Sequence, residues 1–176
     1  MTAEAEEFRA LYTAHYAAVL RYAWRRAGAE AAPDIAGEVF TAVWQRLDQV
    51  PRSHPLPWLY AIARNVVATY HRASERAEQL TAQSALTHTT SARDVGIQVT
   101  EQDAVRKGWA ALSENDRELL ALIGWEGLSI TQAAAALGCS PAVCSVRLHR
   151  ARARLRRQLT QHPATTDHGK ETLTCA

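Results

Sequence analysis

Of the chain's 20 Lys and Arg residues, six fall in one acid-free block. Arg147, Arg150, Arg152, Arg154, Arg156 and Arg157 lie between Gly127 and Thr166, where there is no Asp or Glu. The other 14 basic residues face 18 acidic ones, so an acidic body carries a single concentrated arginine stripe. A helix face that is merely solvated interleaves Glu with its Arg and Lys. Guanidinium groups without acidic neighbours are suited to phosphate, and this distribution is the footprint of a nucleic-acid binder. The net charge of +2 conceals it. Catalytic chemistry has no comparable signal. The sequence lacks GxxxxGK[ST], GxSxG, HExxH and a GxGxxG opening a helix. Cys139, Cys144 and His149 recur every five residues, a poor spacing for a metal, and read as apolar slots. No catalytic residue, metal site or cofactor is expected.

The arginine block needs an element to hold it. Ser129-Ile130-Thr131-Gln132 is a capping box opening a short helix that ends at Leu137-Gly138. Ser140 caps a second helix with Pro141 at its first position, where a missing N–H is harmless. A short helix, a Gly-containing turn and a long Arg-bearing helix form a helix-turn-helix, with Ala134 small enough for close crossing. Upstream, Ser113-Glu114-Asn115-Asp116 reads as an Asp-variant capping box. In the first half, Phe8 to Tyr22 recur at helical spacing up to Gly28. Pro33-Asp34 opens a second helix, and Trp58 to Tyr70 make a third. Asp48 to Pro57, with Pro51, Pro55 and Pro57, is expected to be non-helical. From Glu75 to about Asp103 the periodicity dissolves. The expectation is all-α: two small helical domains, a three-helix bundle over 1–76 and a helix-turn-helix domain over 104–159. A flexible linker over 77–103 joins them, and a disordered tail covers 160–176.

Both halves resemble one family, the two-domain bacterial sigma factors of the extracytoplasmic-function (ECF) type. Asp34-Ile35-Ala36-Gly37-Glu38-Val39-Phe40-Thr41-Ala42-Val43-Trp44 is similar to the region-two helix that docks on the polymerase clamp helices. Pro57-Trp58-Leu59-Tyr60-Ala61-Ile62-Ala63-Arg64-Asn65 resembles the promoter-melting helix, and Leu128 to Leu155 the region-four helix-turn-helix. Gly37 stands where a polar residue, commonly Gln, is usual, and Pro33 replaces a frequent acidic residue. Val143, Ser145 and Val146 replace Thr, Lys and Ser of many recognition helices. The resemblance implies three partners: core RNA polymerase, through its clamp helices and flap; promoter DNA; and, in regulated members, an anti-sigma factor.

Roles follow from residue chemistry within that frame. Early residues of a recognition helix reach base edges while later ones follow the backbone. Ser140, Val143 and Arg147 are thus assigned to the minus-35 groove, and Arg150 and Arg154 to phosphates. Arg can read guanine bidentately, whereas Val packs only on a thymine methyl. Arg117 matches a further phosphate position of the family. Opening a duplex requires planar and polar groups that trap unstacked bases. Arg52, His54, Trp58, Arg64 and Asn65 are the minus-10 candidates, with Trp58 equally suited to core packing. Asp34 and Glu38, one helical turn apart, offer an acidic face for polymerase. Phe40, Val43 and Trp44 read as core, with Trp44 the candidate to complete the docking surface.

Composition agrees with the class. Ala makes up 34 of 176 residues, against 8 Gly and 6 Pro, which favours helices over sandwiches or barrels. The densest apolar run, Leu119 to Trp125, is seven residues long, far short of the ~18 of a membrane span. The acidic start, Met1 to Glu7, has no apolar signal core, so a cytoplasmic location without membrane contact is expected. Two rival readings use the same residues: a dimeric helix-turn-helix regulator acting without polymerase, and a cysteine-based zinc or redox sensor.

Overall fold

A computed structural model describes residues 2–84 and 101–160. Among these, six α-helices and one 3-10 turn account for the fold: α1 (Ala3–Trp44), the turn Leu47–Gln49, α2 (Pro55–Ser84), α3 (Glu101–Ala110), α4 (Glu114–Gly124), α5 (Ile130–Leu137) and α6 (Pro141–Thr160). None of the described helices is long and apolar enough to cross a membrane.

The 42 residues of α1 are two helical segments meeting at Gly28, whose φ of 85° and ψ of 172° are non-helical. That region is essentially restricted to glycine, so the bend the sequence marks is a backbone requirement. The second segment is already helical at Ala31 and Ala32, both buried, ahead of the Pro33-Asp34 opening expected from sequence. Ile35, Val39 and Val43 bury one face against α2, which contributes Leu59, Ala63 and Val67. These spacings of four residues draw one stripe along each helix.

Two expectations are corrected by α2. It begins at Pro55, so Pro55 and Pro57 lie inside the helix rather than in a non-helical segment. The first four N–H groups of a helix have no internal partner, so proline removes nothing there. The helix also runs on to Ser84, through the first part of the 77–103 stretch expected to be a flexible linker. Ala77, Glu78, Gln79 and Leu80 are strong helix formers with no Gly or Pro among them, and need no apolar face to propagate an existing helix. At the other end, α3 begins at Glu101. The rest of the expected linker, 85–100, and the tail from 161 onward lie outside the described residues.

The C-terminal half follows its caps. Ser129 and Gln132 form a complete capping box: the Gln132 N–H donates to Ser129 Oγ at 3.2 Å and the Ser129 N–H donates to Gln132 Oε1 at 2.9 Å. Gly138 closes α5 at φ 66°, ψ 34°, the left-handed turn a side chain would resist. Ala133, Ala134 and Ala136 are buried, which lets α5 and α6 cross closely. Ser113 caps α4 through the Asp116 N–H, but the Asp116 carboxylate turns to Arg154 instead of completing a box. The apolar core does not stop at the domain boundary. Residues of α1, α2, α4, α5 and α6 belong to one continuous cluster.

Gly28→Ala is expected to lower stability by about 1–3 kcal/mol in urea unfolding. Gly37→Ala, within a helix and with nothing within 4 Å of the added methyl, is expected to raise it by about 0.5–1 kcal/mol.

Candidate nucleic-acid interface

At 3.6 residues per turn, Val143, Arg147, Arg150 and Arg154 fall on one stripe of α6, about 100° round the helix from its buried stripe. The buried stripe is Cys144, Leu148 and Ala151, fixed against α3, α4 and α5. Val143 is 48% exposed, Arg150 is exposed and Arg147 is half-buried. Ser140 is committed first to its own helix, since its Oγ accepts the Val143 N–H at 3.3 Å. Arg154 is held at 2.6 Å from Asp116 Oδ2, a carboxylate that is itself buried. Arg117 is half-buried one position further along α4. Cys144 is fully buried and Cys139 half-buried, and burial pushes the Cys144 thiol up from its ordinary value. No cluster of metal-ligating side chains occurs among the described residues.

The minus-10 candidates separate into two groups. Arg52 and His54 lie exposed in the loop before α2, and Arg52 Nε is 3.4 Å from Glu7 Oε1. Asn65 is exposed on α2. By contrast, Arg64 donates to Asn115 Oδ1 of α4 at 3.2 Å. His54, Pro57 and Trp58 line a cleft of about 610 Å3 whose other wall is Ser129, Thr131 and Gln132 at the start of α5. Trp58 is half-buried against the common core, so it packs and faces the cleft at once.

The acidic face of α1 is open. Asp34 and Glu38 are exposed and, with Glu30 one turn earlier, edge a shallow groove closed by Thr69 and Tyr70 of α2. Phe40 and Val43 are core as expected, but Trp44 is 48% exposed and stacks edge-on against Phe8 at 5.1 Å. Its core reading is therefore corrected, and its indole stays available at the surface.

An ionic cluster between the halves was not anticipated from sequence. Arg25 Nη2 bonds Glu126 Oε2 at 2.7 Å; Arg26 reaches Glu118 at 2.9 Å and Glu126 at 3.3 Å. The Tyr22 hydroxyl donates to Glu118 Oε1 at 2.7 Å, and Tyr60 donates to Glu126 Oε2 at 3.4 Å. The Arg26 guanidinium also lies 3.4 Å over the Tyr22 ring. Burial and the neighbouring carboxylates push the Tyr22 hydroxyl far above its ordinary range and Tyr60 up to about 12. Only 2% of the Glu126 side chain is exposed. Yet Arg25 Nε and Arg26 Nη2 are buried without a hydrogen-bond partner. Each such donor costs about 1–3 kcal/mol, comparable to what one charge-assisted bond contributes. Nothing in the local sequence links Arg25 and Arg26 to residues about a hundred positions away.

Sigma-70 region 2 matches residues 11–77, and Sigma-70 region 4 matches residues 103–155. The chain belongs to the sigma-70 family. Together the two matches take in roughly two thirds of this sigma-70 chain. It is 37% identical over 147 residues to "Probable RNA polymerase sigma factor RfaY" of Xanthomonas campestris pv. campestris, covering 79% of this chain but only 36% of that relative. It is 29% identical over 164 residues to the ECF RNA polymerase sigma factor SigL of Mycobacterium tuberculosis, covering 90% and 92% of the two chains. Among solved structures, CnrH in complex with the cytosolic domain of CnrY is similar at a TM-score of 0.61 and 25% identity, over 89% of each chain. The sigma factor RpoE, in complex with the anti-sigma factor NepR from Bartonella quintana, has the same fold at a TM-score of 0.59 and 23% identity, over 90% of this chain and 99% of that one.

Arg154→Ala is expected to destabilise the C-terminal helices by about 1–2 kcal/mol, with most of the loss absent when Asp116 is already Ala. Arg150→Ala, with no partner to lose, should stay within about 0.5 kcal/mol by the same thermal double-mutant cycle.

Proposed function

We propose that the chain is an ECF-type sigma factor acting in the cytoplasm. It binds core RNA polymerase, recognises minus-35 and minus-10 promoter elements and starts duplex melting, while the polymerase performs all covalent chemistry. The observation that carries this reading is the order within one chain of a region 2 match and a region 4 match, the latter containing an acid-free arginine helix. SigL, similar along nearly its whole length, supports the ECF assignment.

In this reading Asp34 and Glu38 meet basic side chains of the polymerase clamp, with Trp44 at the edge of the contact. Val143 and Arg147 read base edges. Arg150, Arg154 and Arg117 hold phosphates, and Ser140 sets the first turn of the recognition helix while its hydroxyl proton remains free to donate. Asn65 and Arg52, both open to solvent, take unstacked minus-10 bases, joined by His54 and Trp58 of the cleft and by Arg64 when it leaves Asn115. The similar RpoE is seen in complex with the anti-sigma factor NepR, and a partner of that kind is proposed here too.

Asp34→Arg with Glu38→Arg should keep the helical content of wild type and lose at least about tenfold in competition for core polymerase, equivalent to ~1.4 kcal/mol. Equal competition would remove the acidic face from docking. With core polymerase bound, Arg147→Ala should flatten base preference at one minus-35 position, whereas Arg150→Ala should weaken all sequences alike and reduce the log K–log salt slope by about 0.9. Selection from a randomised promoter library reads both.

A further inference from the structure

Resting on the sigma reading, we infer that Val143 and Val146 form one apolar reader on α6, which takes the C5-methyl groups of two neighbouring thymines in the minus-35 groove. The two side chains are 48% and 51% exposed. At 3.6 residues per turn, Val146 stands about 170° round the helix from the middle of the buried stripe of Cys144, Leu148 and Ala151. In the first half of α6 it is the side chain aimed most directly away from the core. Val143 lies three residues earlier on the same outer side, about 4.5 Å along the axis. Stacked bases are ~3.4 Å apart, so a helix lying along the groove sets the pair against adjacent base pairs. Single exposed apolar residues need no explanation. These two adjoin, on the early turns of a helix-turn-helix that meet base edges. Local stability does not account for them either, since an exposed valine is a poorer helix former than alanine and gains nothing from packing.

Charge narrows what can cover the pair. Arg147 and Arg150 flank it, and no Asp or Glu lies between Gly127 and Thr166. A second copy of the chain would bring the same arginines against each other, and a wholly apolar partner would leave them without counter-charge. A duplex supplies phosphates on both sides of its groove. Within that groove, valine pressed on adenine or cytosine leaves an amino group without an acceptor, and on guanine it leaves two acceptors without a donor. Each is costly once water is excluded. Thymine alone presents a methyl. The valines therefore select by contact and by exclusion, beside an Arg147 that reads through hydrogen bonds.

Deoxyuridine pairs as thymine does and lacks only the C5-methyl, so it isolates this contact. Duplexes come from the randomised-library selection with the full chain bound to core polymerase, and each minus-35 thymine is replaced in turn. Burial of one methyl contributes about fourfold in affinity, so replacement at two adjacent positions should each lose about that factor. Replacement elsewhere should change little. Val143→Ala should abolish the loss at one of the two positions and Val146→Ala at the other. Both sites are exposed and alanine is the better helix former, so the variants should keep wild-type helical content. At either position, exchanging cytosine for 5-methylcytosine should gain the same factor, which separates the methyl from the rest of the base. A selection that enriches no thymine, losses undiminished in both variants, or wild-type promoter affinity in Val146→Ala would overturn the reader. Core polymerase binding is scored separately. Its loss counts against the sigma reading, and the full chain alone then goes through the same selection and base exchanges, which decide the methyl contact.

Discussion

Two carboxylates, Glu118 and Glu126, determine how the halves of this molecule stand to each other. Both are largely removed from water, and both are met by groups from the far side of the chain: Arg25, Arg26, Tyr22 and Tyr60. A buried carboxylate without partners is too costly to persist, so once α5 packs against α2 and brings Glu118 and Glu126 beside α1, these four side chains have almost no freedom of placement. Arg26 is fixed further by the ring of Tyr22 beneath it, and Tyr22 by stacking on Tyr60 at 5.0 Å. What lies on either side follows from that register: the cleft between α2 and α5, the Arg64–Asn115 bond, and a core continuous from Val19 to Leu148.

This geometry separates two kinds of positive charge. Arg25 and Arg26 are used up internally and contribute little to the field outside. The arginines of α6 face solvent with no acidic residue on their own helix, so their field reaches outward until salt screens it. The acidic groups divide in the same way. Asp34, Glu38 and Glu30 are exposed on a shallow groove, whereas Glu118, Glu126 and Asp116 are consumed by arginines. Composition alone, with its net charge of +2, averages these populations to nothing.

Local rules made most of the fold legible. The Ser129–Gln132 box, the Gly138 turn, the Ser140 cap and the break at Gly28 are each set by a few adjacent residues, and the structure places each where the sequence puts it. The errors share a cause. Pro55 and Pro57 read as helix breakers in sequence, but the rule against interior proline does not reach a helix's first turn. The continuation of α2 past Glu75 leaves no period to detect, because periodicity reports a buried face and residues 75–80 are exposed. Hydrophobic spacing puts Trp44 in the core because it cannot tell a buried aromatic from one at the rim. The interdomain cluster was illegible for a deeper reason: its partners lie about a hundred residues apart, and pairing at that distance is a property of the packed chain.

Asp116 and Arg154 show how the recognition helix is held as well as charged. Residues 144, 148 and 151 fix the rotation of α6 about its axis, but apolar packing alone tolerates sliding along that axis. A bond of 2.6 Å from a buried carboxylate, itself positioned by the first turn of α4, removes that freedom near the far end of the exposed stripe. In the proposed assignment, Arg154 would reach a phosphate only by sharing or leaving Asp116, so its net gain on DNA would be smaller than that of Arg150. Position along the stripe therefore trades electrostatic strength for alignment. The N-terminal turns, held by the Ser140 cap and the buried Cys144, carry the side chains proposed to meet base edges. Their placement depends on a helix whose other end is pinned, so a buried acid opposite an arginine can strengthen the proposed DNA-facing stripe where simple charge counting would say it weakens it.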